Sequence, residues 1–304
     1  MSALERSVHL GTPRAIAAVL GVFRRGAGDP TCASVAGHWW FAWRTPSGPV
    51  TAHLRAAPLT TQVDIEAWGE GAQWFLEQAP LLLGEADDVS DFVTAHPVVA
   101  QAWRRFSGWR VPRSGLVLQA LMPAILEQKV TGQEAFAAYR RLVRRFGTPA
   151  PGPGQQRGLW VPPDAAGRAA IPSWEWLQSR VDIARSAPAV RAAKVGNSLD
   201  RLADRPAGQA RSALQTLPGV GVWTSAEVAH RALGDADAVS FGDYHVAKNI
   251  GWALTGSPVD DDGLAELLEP YAGHRYRVQR LIELAGLARP RRGPRMSPRT
   301  HLPG

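Results

Sequence analysis

Cysteine is almost missing from this chain, which has a single one, Cys32. One cysteine excludes an intramolecular disulfide and a four-cysteine iron–sulfur cluster. Long apolar runs are also missing: no uninterrupted run approaches the ~20 residues of a membrane span, so a membrane protein is not expected. An early acid, Glu5, and the lack of a clear signal-peptide pattern favour a cytoplasmic protein.

What the sequence does contain is apolar and basic. Its 304 residues are 45% hydrophobic, enough to build two or three cores. The net charge is +7 and the isoelectric point is about 10.3, which fits a polyanionic partner. Arginine-rich composition also follows from a G+C-rich genome, so charge alone does not identify that partner.

The first 95 residues are predicted to form a small α+β domain. Hydrophobic patterning predicts helices at 15–23 and 71–83, and strands at 38–43, 50–54 and 63–68. The tryptophans of the first strand, Trp39, Trp40 and Trp43, are expected in the core of the sheet rather than on a nucleotide-binding platform.

From residue 96 to residue 287 the pattern is helical. Helices are predicted at 97–106, 116–127, 133–146, 173–180, 187–202, 207–217, 222–233, 244–254, 263–268 and 274–287. The Pro/Gly-rich stretch 147–163 predicts a loop. Residues 288–304 form a basic, proline-rich tail with no apolar period, which predicts disorder.

The segment Leu217-Pro-Gly-Val-Gly-Val-Trp-Thr224 joins two of these helices. Pro218 and Gly219 end the first helix, and Gly221 allows a second tight bend before the next one begins. The unpaired amides of a helix N-terminus suit a phosphate oxygen, and such a contact would not depend on DNA sequence. An ordinary connection between two helices is the alternative.

This pattern, with Asp243 following in Phe-Gly-Asp-Tyr-His, resembles the helix-hairpin-helix (HhH-GPD) DNA glycosylase superfamily. Within it, the chain looks most like the AlkA-type 3-methyladenine DNA glycosylases II. The stretch Ala124-Ile-Leu-Glu-Gln-Lys-Val-Thr131 is similar to the Ile-Leu-x-Gln-x-Val element of that family. The resemblance covers 96–287 and is strongest at 116–146 and 214–250. It implies an α+β fold, with an antiparallel sheet-plus-helix domain before a two-lobed helical core.

The resemblance makes Asp243 the catalytic carboxylate. Breaking an N-glycosidic bond builds positive charge on the deoxyribose, which a fixed carboxylate stabilises. The same group could activate the attacking water, and the sequence does not separate these roles. Since Asp243 precedes a predicted helix, a purely structural N-cap is the alternative, and capping and catalysis are compatible.

Trp223 occupies the position where bifunctional relatives have a Schiff-base lysine. The resemblance therefore implies a monofunctional enzyme, with Lys248 as a remote alternative nucleophile. Trp223 and Tyr244 are the candidate aromatic contacts for a flipped, positively charged base, although either could instead be a packing residue. Glu227 stands where family members can carry another aromatic residue, and this departure leaves the substrate range open.

The remaining site residues also follow from the resemblance. Gly219, Val220, Gly221 and Thr224 are expected to bind the DNA backbone, and Gln128 or Lys129 to fill the gap left by the flipped base. Gln128 and Lys129 could also form a solvent-facing turn. The backbones of Gln215, Leu217 and Val220 are candidate ligands of a structural Na⁺ or K⁺ ion. No other cofactor is expected, and the eight histidines show no convincing zinc spacing.

The sequence thus predicts a monomeric, nucleoid-associated glycosylase acting on double-stranded DNA that contains alkylated bases. It would release 3-methyladenine or 7-methylguanine and leave an abasic site. Two alternatives stay open: a glycosylase for another lesion, such as hypoxanthine or a mismatched pyrimidine, and a non-catalytic hairpin module that binds damaged DNA.

Overall fold

The chain begins with an antiparallel sheet. The computed structural model describes residues 2–290. In these residues five strands pair in the order β1-β5-β4-β3-β2, with the bounds β1 (Leu4–Ala15), β2 (Cys32–Val35), β3 (His38–Thr45), β4 (Gly48–Arg55) and β5 (Leu59–Trp68). Thr45 pairs with Gly48 across the tight turn that joins β3 to β4, as the Thr-Pro-Ser-Gly sequence predicts.

Two helices, α1 (Ile16–Leu20) and α2 (Ala72–Leu82), complete the core of this sheet. Alternate residues of β5 are buried, as the period-2 pattern requires. Trp39 and Trp43 pack in the main core, whereas Trp40 is buried in a smaller cluster on residues 150–161. The tryptophan cluster is therefore a packing feature of the sheet.

The rest of the described chain is mostly helical. Its elements are α3 (Pro97–Phe106), α4 (Val117–Leu126), α5 (Gly132–Phe146), β6 (Thr148–Pro149), α6 (Pro153–Gln156), β7 (Trp160–Val161), α7 (Ala165–Ala169), α8 (Ser173–Gln178), α9 (Ile183–Lys194), α10 (Gly196–Asp200), α11 (Ala207–Gln215), α12 (Val222–Val228), α13 (Val246–Thr255), α14 (Asp261–Leu268) and α15 (Arg275–Leu284). The helix of α12 continues into a π-helical turn, Ala229–Leu233.

These helices build two separate cores. The first is formed chiefly by α4, α5, α9, α11 and α12. The second unites α3 with α13, α14 and α15, which lie far from it in sequence. The fold is therefore α+β with a two-lobed helical part, as predicted, and each lobe has its own apolar centre.

The differences from the predicted elements have local causes. Strand β1 is an edge strand with an irregularity between His9 and Arg14, so its alternation is weak in the sequence. The helix predicted at 187–202 starts earlier, at Ile183, because Asp182 caps it by accepting from the amide of Arg185. That helix ends at Lys194, and α10 begins at Gly196, where a Cβ would clash with Leu118.

Two further predictions concern loops and the tail. The stretch 147–163 contains the short elements β6, α6 and β7 rather than only irregular loop. The predicted disordered tail lies mainly outside the described residues. Within 2–290, none of the helices has the length and apolar character needed to cross a membrane.

Candidate active site

The turn between α11 and α12 is a close helical hairpin. Gly219 has φ +94°, and a Cβ at this position would clash with the ring of Pro188 on α9. Gly221 precedes α12 in an extended conformation, and nothing lies within 4 Å of the place where its Cβ would be. The start of α12 is therefore accessible at Gly221 and Val222, an arrangement that suits the oxygens of a phosphate.

The bend that follows α4 is bonded to this hairpin. Nε2 of Gln128 donates to the carbonyl oxygen of Gly219 at 2.9 Å and to Oγ1 of Thr224 at 2.8 Å. Thr224 is buried, so its hydroxyl serves this internal contact instead of facing solvent. The two segments of strongest family resemblance thus meet in space through Gln128.

Lys129, the next residue, behaves differently. It is exposed and has φ +55°, a left-handed conformation that a non-glycine residue adopts at a cost of about 1 kcal/mol or more. Of the two candidate wedge residues, Gln128 is thus tied to the hairpin, whereas Lys129 presents its side chain to solvent beside it.

Asp243 lies in the loop just before α13. Its Oδ1 accepts from the amides of His245 (2.7 Å) and Val246 (3.1 Å), so this oxygen caps the helix. Its Oδ2 accepts from Nε1 of Trp223 on α12 at 3.3 Å. The carboxylate of Asp243 thus bonds to the start of α13 and also lies beside the hairpin, and three donors hold it in place.

A pocket of about 300 Å³ opens beside Asp243, between α13 and α15. Its volume is at the lower end of the range for small-molecule sites. The lining combines carboxylates, amides and apolar side chains, and comprises Glu227, Ser240, Asp243, His245, Val246, Asn249, Ile250, Gln279, Ile282, Glu283, Gly286 and Ala288.

A polar network fixes the inner wall of this pocket. Glu227 accepts from Nη1 of Arg231 (2.7 Å) and from the hydroxyl of Ser240 (2.8 Å). Gln279 accepts from the Ser240 amide at 3.2 Å and donates to Glu283 at 3.1 Å. Burial alone would raise the pKa of Glu227, but the charges of Arg231 and His230 and the hydrogen bonds from Arg231 and Ser240 together outweigh it and lower this pKa to about 2. Glu227 is therefore ionised at neutral pH.

His230 lies behind that network and is fully enclosed. Its ring stacks on Tyr276 with centroids 3.5 Å apart, and Nε2 contacts the carbonyl oxygen of Ala238. Burial lowers the pKa of His230 to about 4, and nearby Glu227 only partly opposes this effect. The ring is thus neutral at physiological pH and serves packing.

The two candidate base-contacting aromatics are not among the residues that line the pocket. Trp223 is half-buried and turned toward Asp243. Tyr244 is 74% exposed, and Nζ of Lys248 lies 3.9 Å from its ring centre. A stacking contact between either ring and a base would therefore be made outside this pocket.

Sequence reasoning missed part of the pocket wall. Gln279 and Glu283 on α15 were not singled out, nor was Ser240 in the loop after the π-helical turn. A signal did exist: Gln279 and Glu283 are polar residues four apart on a helix whose neighbouring Leu281 and Ile282 are buried. Only the folded chain brings them opposite Glu227.

The candidate cation ligands lie under the hairpin. The carbonyl of Leu217 accepts from the amide of Val220 at 3.0 Å, which leaves one lone pair for an ion. The side chain of Gln215 is engaged with Ser225 at 2.9 Å, so only its backbone could contribute. The Na⁺ or K⁺ site stays a prediction.

Comparison with known proteins adds to this geometry. No family model matches the sequence, and no curated protein does. Solved structures match over nearly the whole chain. A 3-methyladenine DNA glycosylase from Archaeoglobus fulgidus is 16% identical with a TM-score of 0.74, and covers 92% of this chain and 98% of its own.

Two further structures match at similar coverage. MBOgg1 in complex with a low-affinity DNA ligand is 14% identical with a TM-score of 0.70, covering 93% of this chain and 97% of that one. The apo 8-oxoguanine glycosylase/lyase of Clostridium acetobutylicum is 10% identical with a TM-score of 0.68, covering 93% and 98%. The chain therefore shares the fold of these DNA glycosylase structures, as the resemblance of its hairpin motif implies.

Proposed function

We propose that this protein is a monofunctional DNA glycosylase that flips alkylated purines out of the duplex and hydrolyses their N-glycosidic bond. An abasic site would remain for base-excision repair. The observation that carries the proposal is Asp243, a carboxylate held by two amides and an indole N–H beside both a DNA-suited hairpin and a pocket. Its fold neighbours include a 3-methyladenine glycosylase and an 8-oxoguanine glycosylase/lyase.

The chemistry rests on charge placed in advance. As the bond between base and sugar breaks, positive charge grows on the deoxyribose, and a carboxylate that needs no reorientation stabilises it. The amides on Oδ1 fix the plane of the group, while Oδ2 keeps lone pairs for the sugar or for the attacking water. In this proposal Asp243 orients or deprotonates that water as well.

The acidity of the pocket favours a cationic lesion. Asp243, Glu227 and Glu283 all line it, and Ile250 and Ile282 add apolar walls. N-alkylated purines such as 3-methyladenine and 7-methylguanine carry positive charge in DNA, which these carboxylates attract. Hypoxanthine is neutral and gains nothing from such a lining, so it is the second candidate.

The last part of the proposal is that this protein has no lyase activity. Trp223, which has no amine, stands where the resemblance places the lysine of bifunctional enzymes. The amine of Lys248 lies over the ring of Tyr244. We therefore expect no imine with the sugar, no adduct trapped by borohydride, and strand breaks only after alkali.

The test is release of bases from alkylated duplex DNA, identified by mass spectrometry. Asp243→Asn keeps an oxygen for the helix cap but removes the charge, so release should fall at least ~100-fold while DNA binding persists. Asp262→Asn, which changes an exposed aspartate on α14 outside the pocket, is the matched control and should retain activity.

Other results of the base-release test would lead to different conclusions. Equal release by wild type and Asp243→Asn would remove Asp243 from the mechanism. Release of hypoxanthine alone would replace the proposed substrate class. Tight binding to damaged duplexes with no base released from any lesion would favour the non-catalytic binding module, and a borohydride-trapped adduct would contradict the monofunctional assignment.

A further inference from the structure

A second cavity, of about 350 Å³, lies between the sheet and the helices. Its walls are the β3–β4 turn, the start of α4, the segment that leads into α7, and residues of α7 and α10. The side chains that carry the argument are Arg44, Gln119, Asp164, Arg168, Asn197 and Asp200. None of the residues that line it also lines the pocket beside Asp243.

Arg168, on α7, is the unusual member of this set. It is only 6% exposed, yet within residues 2–290 it forms no ion pair. Its guanidinium donates through Nη1 to the carbonyl oxygen of Leu118 at 3.2 Å. Burial lowers the pKa of Arg168, and the nearby groups Tyr139, Asp200 and Asp164 only partly oppose this effect.

The two carboxylates of the cavity are occupied elsewhere. Asp164 accepts from the amide of Gly167 at 2.7 Å and caps α7. Asp200 accepts from the amide of Leu118 at 2.9 Å, at the start of α4. Both acids therefore neutralise helix N-termini, and neither lies within ion-pair distance of Arg168.

A second guanidinium faces the same space. Arg44 is half-buried, and its Nε donates to the carbonyl oxygen of Pro162 at 3.3 Å, which holds the group at the wall. Its two terminal nitrogens have no carboxylate partner within the described part of the chain. Two arginines thus face one cavity, and within the described residues neither forms an ion pair with the aspartates that share its walls.

We propose that this cavity is a binding site for a small phosphorylated ligand of mononucleotide size. The planar guanidinium groups of Arg44 and Arg168 match the oxygens of a phosphate and would pair with its charge directly. Gln119 uses its carbonyl oxygen on the amide of Arg44, so its NH₂ group remains as a donor. The exposed Asn197 stands at the mouth, where the rest of the ligand would lie.

This site is separate from the DNA-facing hairpin. The first turn of α4 lines the cavity, while the last turn of the same helix leads to Gln128 and the hairpin. A helix of 10 residues spans about 15 Å, so the two sites lie at opposite ends of α4. Binding at the cavity does not depend on the proposed glycosylase activity.

The test is isothermal titration calorimetry of the whole protein with orthophosphate and with nucleoside monophosphates. We expect wild type to bind the nucleotides more tightly than orthophosphate. Arg168→Met should abolish binding, and Arg44→Met should weaken it at least ~10-fold, on the scale of one charged hydrogen bond. Arg157→Met, which changes an exposed arginine stacked on Trp40 outside the cavity, should bind like wild type.

Thermal unfolding provides an independent readout, because a ligand that binds the folded state raises the midpoint with concentration. Arg44→Met keeps the test decisive if Arg168→Met fails to fold. Absence of binding at millimolar ligand, or binding unchanged in Arg44→Met, would overturn the proposal. Equal affinity for orthophosphate and nucleotide would contradict the assigned ligand size. DNA binding should be the same in all folded variants.

Discussion

Nε1 of Trp223 lies 3.3 Å from Oδ2 of Asp243 and joins the hairpin helix α12 to the start of α13. These helices belong to different lobes, with α12 in the first apolar core and α13 in the second. The contact therefore links the element suited to DNA with the carboxylate assigned to chemistry. It also gives Trp223 a role other than the base contact expected for it.

Trp223→Phe keeps an aromatic ring but removes the donor. Because Asp243 then loses one of its three donors, we expect the single-turnover rate of base release to fall roughly tenfold, the value of one charged hydrogen bond. DNA affinity should stay close to wild type. Trp252→Phe, at a partly exposed tryptophan outside the pocket, is the control. An unchanged rate in Trp223→Phe would mean that the indole does not position the carboxylate.

Two substitutions of Lys129 separate its effect on stability from its effect on activity. Lys129→Gly and Lys129→Ala both remove the candidate wedge, so both should lower base release while retaining DNA binding. Only glycine relieves the positive φ, so Lys129→Gly should be about 1 kcal/mol more stable than Lys129→Ala in chemical denaturation. Full activity in both variants would show that Lys129 is not the wedge.

The two hairpin glycines should respond differently to alanine. Gly219→Ala introduces a Cβ against Pro188 at a positive φ, so the midpoint of thermal unfolding should drop clearly. Gly221→Ala meets open space, so stability should be nearly unchanged, but the new methyl group stands beside the amides offered to phosphate. Reduced DNA affinity at unchanged stability is expected for Gly221→Ala, and wild-type affinity would argue against a phosphate at that helix start.

The stability of the folded protein should fall in acid, because folding lowers the pKa values of His230 and Glu227. The pKa of His230 drops from 6.5 to about 4 on folding, so between these values the unfolded chain binds more protons and acidification favours unfolding. Glu227 acts in the same direction from pH 4.5 down to about 2. Thermal midpoints measured across this range should decrease steadily below pH 6.5.

A variant isolates the histidine contribution. His230→Gln cannot gain a proton, so its midpoint should change less than that of wild type between pH 6.5 and about 4, even if it is less stable overall. Between these two pH values, wild type should lose roughly 3 kcal/mol more of its unfolding free energy than His230→Gln does. Parallel curves for the two proteins would contradict the low pKa of His230.

Local patterns were sufficient to predict much of the fold. Helix α3 begins and ends where periodicity and Pro97 place it, and the Pro-Gly-Val-Gly turn lies between α11 and α12 as predicted. These features depend on neighbours within a few residues. Strand β1 was not predicted, because its pairing with β5 depends on residues 44 to 63 positions away in the sequence.

The candidate site also has one part that the sequence indicates and another that depends on contacts between distant residues. Asp243 was proposed from the family resemblance and its spacing after the hairpin, whereas the pocket beside it could not be predicted. Glu227 and Gln279 meet Ser240 only when α15 packs against the loop that follows α12, a contact between segments far apart in the chain. The burial of Arg168 was equally hidden, because its sequence context resembles that of an ordinary solvent-facing arginine.

The second helical core has a consequence for synthesis of the protein on the ribosome. This core needs both α3 and α15, which is made long after α3 and carries Leu281 and Ile282. Asp243 therefore gains its supporting lobe only after α15 has emerged. We expect a product that terminates before α15 to lack this lobe and one wall of the pocket, so incomplete chains would not create abasic sites.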